Sequence, residues 1–592
     1  MSDSLLQYFE QELSFIRSEA TQFAERHPSS ARALGISKDG VDDPQVTRLI
    51  ESVALLNGRL QKRLDESFPE LTDSLIRLLF PHYLRPIPSY SVLNFNVTED
   101  ASATHRIPAG TEFEIGDESN KALFRTTKEL DLFPVEIEQV KVAFAPFETT
   151  KPAGAEHAKA LIEVTISAVD EGIDISLLEM NKLNLHLKGE SSFALKLYDL
   201  LIHGASQVCV QTDSKRHVLG KQAIQPIGFD IEDTILPYQA ASFGGFKLLT
   251  EFFVFADRFN GFTVDLNQVL NQCLGHRFTL QIYVDELSVD VARSLSVDHF
   301  TLFSTPVVNL HHMVADPVEI DFLQKDYPIV LDATQGQDLE LFSVDEVVDV
   351  TTSEQVTVPQ VYGEKYSDSQ SGLRWQLVQN LLESGALKSV LNVADLEHSS
   401  LHSSKQTWLV NATVTNGSRV GSLPINSAVA CMESITIPAE MSLLRRPSMP
   451  IRSKDNSTNV WSLLCHLHFN YHAILGSDDP KSTLKNVFEL YNHNHSSQNQ
   501  LYIESLVAID QEQVVAPIRV SGRTCFAYGT KITVTLDPTN VNGGISMFSH
   551  LLDRFFAFFA GFNSFTQVDI KFEGQDALYI AFPRRTGCKS LL

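Results

Sequence analysis

The chain of 592 residues is too long for a single hydrophobic core and is expected to divide into about three or four domains. Its formal net charge of −26 argues against nucleic-acid binding, because phosphate contacts rely on lysine and arginine side chains. With 43% hydrophobic and 20% charged residues, the composition is that of an ordinary globular protein. The acidic excess is explained by solubility or by attraction to a basic partner surface.

The first predicted element is an amphipathic helix that ends before Pro28. Its apolar residues recur at spacings of three and four, which is the period of one helix face. Proline disfavours helical geometry in the residue before it, so we expect the helix to end at His27. The apolar face consists of Leu6, Phe9, Leu13, Ile16, Ala20 and Phe23.

A second helix is predicted from Pro44, because Asp43 is a suitable N-cap and proline is tolerated at the first helical position. A third, short helix is predicted between Pro69 and Pro81. The apolar stripe of the second helix consists of Val46, Leu49, Val53, Leu56, Leu60 and Leu64.

These apolar faces allow two interpretations. The helices either bury their faces against one another, or they form part of a bundle that helices of another chain complete. Burying four large side chains would gain about 1.5–3 kcal/mol each, whereas association costs roughly 4–15 kcal/mol, so any partner must contact several elements at once. The candidate partner-binding residues of the helices are Phe9, Leu13, Ile16, Phe23, Val53, Leu56 and Leu60.

Beyond residue 90 apolar residues alternate with polar ones, which predicts half-buried strands in sandwich-like or barrel-like modules. The clearest alternations lie at residues 93–97, 135–144, 183–187 and 278–284. Polar runs at 363–372, 397–405, 445–459 and 491–500 are candidate boundaries. Helices are predicted at 460–475 and 481–491, and His493 and His495 are expected to be solvated in a polar loop.

The end of the chain predicts a small strand–helix–strand unit. Residues 532–536 and 568–572 alternate as strands, residues 547–559 are strongly apolar, and residues 578–582 close the unit. The predicted fold is therefore α+β and multidomain. Its predicted domains are a helical segment at 1–88, β-rich domains at 89–235 and 236–445, and a mixed α/β domain at 446–592.

The chain lacks the local motifs of phosphate-binding loops, nucleophile elbows and zinc-binding helices. His468 and His472 lie four residues apart, with Cys465 nearby, but ordinary helix histidines explain them better than a metal site does. The acidic pairs Asp285-Glu286 and Asp316 with Glu319 are equally well explained as solvated edges. We therefore predict no catalytic, cofactor-binding or metal-binding residues.

A basic cluster stands out in this acidic chain. Arg445, Arg446, Arg452 and Lys454 either clamp an acidic neighbour, since arginine pairs bidentately with carboxylates, or lie in a solvated linker. Arg445 and Arg446 are accordingly added to the candidate partner-binding residues.

The predicted compartment is the cytoplasm. The six cysteines are far apart and form no CxxC pair, which is typical of reduced thiols. The N-terminus lacks a signal-peptide pattern. The strongest apolar run, residues 555–562, is too short to span a bilayer, so no direct membrane insertion is expected.

Short stretches distributed along the whole chain carry a resemblance. The most informative is residues 68–89, FPELTDSLIRLLFPHYLRPIPS. The others are residues 8–17, 23–28, 43–46, 106–111, 124–127, 243–253, 305–310, 443–447, 551–555, 563–567 and 583–587. In their joint order these stretches resemble the TssF family, also called ImpG or VasA, of type VI secretion baseplate subunits. Residues 491–500 match nothing in that family.

The resemblance implies a structural wedge subunit without chemistry, on which a contractile sheath assembles. It implies that two TssF-like copies embrace one TssG-like subunit, with contacts to TssE-like, TssK-like and VgrG-like components. It places the protein on the cytoplasmic side of the inner-membrane secretion complex. The alternative is a large β-rich cytoplasmic enzyme acting on glycans, which would need two carboxylates about 5–10 Å apart across a cleft.

Overall fold

A computed structural model of the chain describes residues 3–33, 36–37, 40–41, 43–65, 85–117, 120–212, 215–237, 243–267, 269, 275–324, 326–333, 339–361, 372–381, 387–395, 405–452, 476, 479–520, 523–561 and 564–587. The chain forms two compact units. The first comprises Met1–Tyr83 and Asp455–Leu464, and the second comprises Leu84–Lys454 and Cys465–Leu592.

The first unit is helical, as predicted. Its helices are α1 (Asp3–Arg26), α2 (Pro28–Ala33) and α3 (Pro44–Asp65), with a two-stranded ladder of β1 (Ile36–Ser37) and β2 (Gly40–Val41). The predicted start of α3 is confirmed, since Asp43 Oδ1 accepts the Gln45 amide at 2.8 Å. Pro28 ends α1 but also begins α2, because proline fits the first helical position. The helix predicted between Pro69 and Pro81 lies outside the described residues.

Three antiparallel groupings of strands open the second unit. A five-stranded sheet has the order β12 (Arg216–Val218), β11 (Ala205–Gln211), β15 (Arg277–Val284), β9 (Ala160–Ala168) and β8 (Val135–Phe144). A four-stranded sheet has the order β13 (Ile224–Pro226), β14 (Gly261–Asp265), β10 (Lys182–Leu187) and β16 (Phe300–Leu302). A short ladder pairs β4 (His105–Ile107) with β7 (Leu130–Leu132). Helices α4 (Ser191–Ile202) and α6 (Val289–Ser294) belong to the same part of the chain.

A six-stranded sheet joins distant parts of the chain. Its order is β26 (Val429–Cys431), β5 (Glu112–Asp117), β6 (Asn120–Thr126), β17 (Ser304–Val308), β3 (Tyr90–Val97) and β27 (Ala439–Leu443). Strand pairing thus crosses the predicted boundary between residues 235 and 236. The alternation of apolar residues predicts a strand but carries no information about which strand lies beside it.

Two further sheets share one core and form a sandwich-like module. The first has the order β18 (His311–Val314), β25 (Gln406–Thr415), β21 (Glu340–Asp349) and β22 (Val356–Thr357), with β19 (Val318–Ile320) also paired to β25. The second has the order β20 (Asp326–Pro328), β24 (Leu387–Asp395) and β23 (Leu373–Leu381). Trp408 and Trp375, one from each sheet, are buried in the same hydrophobic cluster.

The C-terminal part confirms the predicted strand–helix–strand unit. Strands β29 (Arg523–Leu536) and β30 (Ser564–Phe572) are parallel and are connected through helix α9 (Ile545–Ala557). The sheet is completed by β28 (Leu506–Val520), β31 (Leu578–Ala581) and β32 (Arg585–Thr586).

Helix α5 (Gly244–Val254) lies at the centre of an aromatic core, and every residue of it is buried. A helix that is apolar around most of its circumference is expected in such a position. Its Phe252 and Phe253 contact rings from helices α7 (Pro480–Tyr491), α8 (Ser497–Glu504) and α9. Helix α7 confirms the prediction at 481–491, whereas the predicted helix at 460–475 lies outside the described residues.

The prediction that residues 491–500 form a solvated polar loop has to be corrected. This stretch is only partly a solvated loop, because residues 497–500 belong to α8, which Ser496 caps, and Asn499 Nδ2 donates to the carbonyl of Phe253 at 2.7 Å. Burial lowers the pKa of His493 to about 4, whereas His495 is exposed as predicted. Polar side chains can be buried at low cost when each finds a hydrogen-bond partner, and composition alone does not reveal such partners.

Candidate interaction surface

Helices α1 and α3 meet through small residues. Ala54 is fully buried, and a Cβ added to Gly58 would lie 3.0 Å from the backbone nitrogen of Phe9 and 3.1 Å from the carbonyl carbon of Tyr8. The backbones therefore approach each other where α3 carries no bulk. The spacing of four between Ala54 and Gly58 is a sequence signal for this contact, which the pattern of large apolar residues does not reveal.

Four residues of the predicted apolar stripe of α3 lie on a different face of that helix. Leu49, Val53, Leu56 and Leu60 are 67%, 42%, 66% and 59% exposed. They follow one another at spacings of three and four, so they lie along one side of α3. The interpretation that the helices bury all their apolar faces against one another is therefore wrong for this stripe.

The predicted residues of α1 are less exposed. Phe9, Leu13 and Ile16 are half-buried, and Phe23 is 37% exposed with its ring 5.3 Å from that of His27. One exposed aromatic side chain of α1 was not predicted, because it lies off the apolar face. That residue is Phe15.

The basic cluster makes contacts within the second unit. Arg445 Nε lies 3.3 Å from Asp257 Oδ1, and Arg446 Nε donates to the carbonyl of Leu423 at 3.2 Å. Arg452 pairs with Glu340. Lys454 lies outside the described residues. Neither of the two predicted interpretations included this internal role, which connects the segment after strand β27 to distant parts of the chain.

One cluster of polar side chains has the composition of a catalytic triad: a hydroxyl, a histidine and a carboxylate. Asp345 Oδ2 accepts from Thr413 Oγ1 at 2.7 Å, and His312 Nδ1 lies 3.0 Å from that hydroxyl and 3.3 Å from the carboxylate. Arg125 Nη1 lies 3.0 Å from His312 Nε2 and can only donate to it. A relay needs the hydroxyl and the carboxylate on opposite ring nitrogens, whereas here they share Nδ1. The group is therefore arranged to connect β6, β18, β21 and β25.

The acidic residues weighed for acid–base chemistry make local contacts. Glu286 pairs with Lys159 at 3.1 Å, and Glu319 pairs with Lys405 at 2.8 Å. Asp316 Oδ2 accepts the amide of Ala333 at 3.1 Å. These contacts favour the interpretation that the carboxylates are solvated edge residues.

Within the described ranges, no group of three or more histidine, cysteine, aspartate or glutamate side chains is suited to hold a metal ion. His468, His472 and Cys465 lie outside those ranges. In the part of the chain that the structure describes, every helix is too short or too polar to cross a membrane.

Comparisons with known proteins agree along the whole chain. The family model described as "Type VI secretion system, TssF" matches residues 1–589. The type VI secretion system component TssF1 of Pseudomonas aeruginosa strain PAO1 is 25% identical over 603 residues, which cover 96% of this chain and 97% of the relative.

Two solved structures share the fold. A chain from the type VI secretion system TssK-TssF-TssG baseplate subcomplex is 22% identical with a TM-score of 0.74, and the match covers 92% of this chain and 99% of that chain. A chain from the baseplate complex of the type VI secretion system is 22% identical with a TM-score of 0.59, and the match covers 99% of this chain and 100% of that chain. On the full-length match to the family model, this chain belongs to the TssF family of the type VI secretion system.

Proposed function

We propose that this chain is a structural baseplate subunit of a type VI secretion system, and that it binds a TssG-like subunit through exposed apolar side chains of α1 and α3. The observation that carries the proposal is the stripe of Leu49, Val53, Leu56 and Leu60 on α3. Large apolar patches on a protein surface usually mark interaction sites. Because the chain belongs to the TssF family, we expect that partner among the components of a type VI secretion system.

The size of the stripe limits how the partner binds. Side chains that are already about half-buried would each gain roughly half of the 1.5–3 kcal/mol for complete burial, so the four together give about 3–6 kcal/mol. Association costs roughly 4–15 kcal/mol. The partner must therefore also contact α1, where Leu6, Phe15 and Phe23 are exposed.

The wider assembly follows by analogy. The TssF chain of the similar solved structure is in a complex with TssK and TssG. We extend this to TssK-like, TssE-like and VgrG-like components and to a second copy of this chain, in a platform for sheath assembly. The location is the cytoplasmic side of the inner-membrane secretion complex. The protein is not an enzyme in this proposal, and its role is to pass a conformational change from spike to sheath.

The arginines of the basic cluster contribute less to the proposed interface than the apolar side chains of α1 and α3 do. The ion pair of Arg445 with Asp257 already uses its guanidinium within the chain. We keep Arg445 and Arg446 as partner-binding residues only at the edge of an interface, where replacing one charge changes the association rate more than the affinity.

The test is co-expression with a TssG-like subunit from the same bacterium, followed by mass measurement of the complex and by affinity measurement. Leu56→Asp and Leu60→Asp should weaken binding at least tenfold, because each places a charge on the apolar stripe. Phe9→Asp and Leu13→Asp should also weaken it while the second unit still folds, although they disturb the α1–α3 contact as well. Leu177→Asp is the matched control, since Leu177 is exposed in the second unit. Undiminished recovery of the complex with Leu56→Asp would refute the role of α3.

A further inference from the structure

The two stretches by which the chain enters and leaves the second unit lie side by side. The chain first runs through this unit as the segment Leu84–Lys454. Near the two ends of that segment, Ile87 and Ile451 form an antiparallel pair, in which each backbone N–H donates to the carbonyl of the other residue at 2.8 and 2.9 Å. We call residues 85–90 and 444–452 together the paired connector, and the end at this isoleucine pair its outer end.

The paired connector continues the ladder of β3 and β27 with fewer backbone bonds. The amide of Leu444 donates to the carbonyl of Val92 at 2.9 Å, in register with the ladder. Two extra residues then lie on the β27 side, before the amide of Ser448 donates to the carbonyl of Tyr90 at 3.0 Å. Four positions have no N–H to donate, because they are Pro86, Pro88, Pro447 and Pro450. Few and interrupted backbone bonds favour local opening here over opening of the regular ladder.

Side chains that contact β21 hold the outer end. Arg452 pairs with both carboxylate oxygens of Glu340: its Nε donates to Oε2 at 3.1 Å, and its Nη2 donates to Oε1. The same Nη2 donates to Ser418 Oγ at 2.6 Å. On the other strand, the guanidinium of Arg85 lies 5.4 Å from the ring centre of Phe342. Glu340 and Phe342 both belong to β21, so a single strand contacts both halves of the paired connector at this end.

The inner end of the paired connector is held by buried contacts. The rings of Tyr90 and Phe255 are both buried, with their centres 4.1 Å apart. Arg445 Nε lies 3.3 Å from Asp257 Oδ1, and the carbonyl of Arg445 accepts from Ser91 Oγ at 2.6 Å. The inner end is therefore fixed to the core and to the segment after α5, and opening would begin at the outer end.

Tension on the two strands would act on the outer end first. Because the pair is antiparallel, both strands continue from this same end to the residues at which the chain passes between the units. A pull on them therefore reaches the bonds of Ile87 with Ile451 and the pair of Arg452 with Glu340 before it reaches the β3–β27 ladder. Each residue released would lengthen its connection by up to about 3.3–3.6 Å.

We propose that the paired connector is a conformational device with a closed and an open state, and that the Arg452–Glu340 pair holds it closed. In the open state Ile87 and Ile451 separate while the β3–β27 ladder remains, so both connections to the first unit become longer. Elements with two discrete arrangements are what carry a change from one part of a protein to another. The inference goes beyond the proposed function and does not depend on it.

The first test measures amide hydrogen exchange in the full chain by mass spectrometry. Arg452→Met combined with Glu340→Gln removes the pair without leaving a buried charge unpaired. The amides of Ile87 and Ile451 should then exchange at least tenfold faster, whereas those of the β3–β27 ladder should be unchanged. Arg446→Met is the matched control, since it removes an exposed arginine of the same stretch and should leave exchange at both isoleucines within about twofold.

Two results of this test would contradict the proposal. Unchanged exchange at Ile87 and Ile451 in the double variant would show that the ion pair does not hold the paired connector closed. Equal acceleration along the whole β3–β27 ladder would show that the paired connector has no open state of its own.

The second test closes the paired connector with a disulfide bond. Ile87→Cys combined with Ile451→Cys suits this purpose, because residues of a hydrogen-bonded antiparallel pair have Cα atoms about 5.5 Å apart, which is within the range of disulfides. In the background of Arg452→Met with Glu340→Gln, oxidation should return the exchange of the Ser448 amide to its rate in the unmodified protein, and reduction should reverse this.

Ile87→Ser combined with Ile451→Ser in the same background is the control for the disulfide, because it changes the same positions and cannot form the bond. Its exchange should not respond to the oxidant. If the cysteine variant, with its disulfide verified by mass spectrometry, still exchanges as fast as when reduced, opening does not consist of separating these two strands and the proposal is wrong.

Discussion

Asp199 and Gly544 are 345 residues apart in the chain, and the Asp199 carboxylate accepts the Gly544 amide at 2.6 Å. The same carboxylate accepts the amide of Ile545 at 3.3 Å and that of Ser546 at 2.9 Å. These amides begin helix α9, where the first N–H groups have no partner inside the helix. A side chain of α4 therefore caps a helix of the C-terminal sheet and connects the middle of the chain to its end.

Asp199→Ala should loosen the start of α9. Removing an N-cap costs about 0.5–2 kcal/mol, and three amides lose their acceptor here. Amide hydrogen exchange of Gly544, Ile545 and Ser546 should rise, and the midpoint of thermal unfolding should fall. Asp199→Asn is the comparison variant, because its single amide oxygen can still accept the Gly544 and Ile545 amides, whereas its Nδ2 cannot accept from Ser546. Equal exchange in both variants would mean that the cap does not hold the helix.

Gly58→Leu should separate α1 from α3. A side chain at this position meets the backbone of Tyr8 and Phe9 rather than a movable side chain, so the helices must shift. Overpacking of this kind typically costs about 1–3 kcal/mol. Trypsin should then cut within α1 and α3 faster than in the unmodified protein.

Leu56→Ala on the exposed stripe is the comparison for Gly58→Leu. An exposed substitution usually changes stability by less than about 0.5 kcal/mol. Its proteolysis should therefore be unchanged even where its binding to the TssG-like subunit falls. If both variants are cut equally, the small-residue contact does not hold the pair together.

The buried ring of His186 should make the protein less stable in acid. Burial, with a smaller contribution from nearby Arg445, lowers the pKa of His186 to about 4. Because this pKa lies below its unfolded value of about 6.5, folding favours the neutral ring, and stability is lost as pH falls from 6.5 toward 4. By pH 5 the loss from this residue is about 2 kcal/mol.

Asp199 acts in the opposite direction, since burial raises its pKa to about 6. A carboxyl with a raised pKa is favoured in its protonated form by folding, so its contribution to stability increases as pH falls through 6. A single titration of the protein would therefore mix the two effects.

The contribution of His186 is isolated by comparing the protein with its His186→Met variant. The measurement is the gap between their free energies of unfolding, from denaturant titrations at pH 7 and pH 5. The gap should change by about 2 kcal/mol in favour of the variant at pH 5. A constant gap would show that His186 does not titrate in this range.

Arg585→Met should destabilise the C-terminal sheet. Arg585 Nε donates to Asp553 Oδ2, whose side chain is 1% exposed, and burial raises the pKa of that carboxyl to about 6 despite its partner. Removing one partner of a buried pair typically costs about 3–5 kcal/mol. The unfolding midpoint should fall accordingly.

Two further variants test whether charge is the cause of the Arg585→Met effect. Adding Asp553→Asn to Arg585→Met should recover part of the loss, because the unpaired ionisable group is gone. Arg584→Met should have a small effect, since Arg584 is exposed. Similar losses from Arg584→Met and Arg585→Met would rule out the buried pair as the cause.

Local patterns predicted much of this fold because they reflect which side of an element is buried. The alternation at 183–187 and 278–284 became β10 and β15, and the apolar run near residue 550 became α9. The predicted N-cap Asp43 is confirmed by its bond to Gln45.

Other features could not be predicted from local patterns. The pairing of β3 with β17 and β27 joins residues more than two hundred positions apart, and nothing in a single strand specifies its neighbour. Asn499 is polar in sequence but buried, because the carbonyl of Phe253 is there to accept its amide hydrogen. Arg445 is paired with Asp257 by the approach of two distant segments.

The sequence by itself determined the type and approximate limits of those elements that have a clear periodicity or a proline at one end, since these signals act within a few residues. It also determined the order of short stretches by which the family is identified. The tertiary structure alone decided which apolar faces remain in water. Close contact through Ala54 and Gly58 leaves the leucines of α3 outside, and packing of Phe565 on Gly529 turns Phe526 and Tyr528 to the solvent. The physical reason is that exposure depends on what packs against the opposite face, and that partner lies far away in the chain.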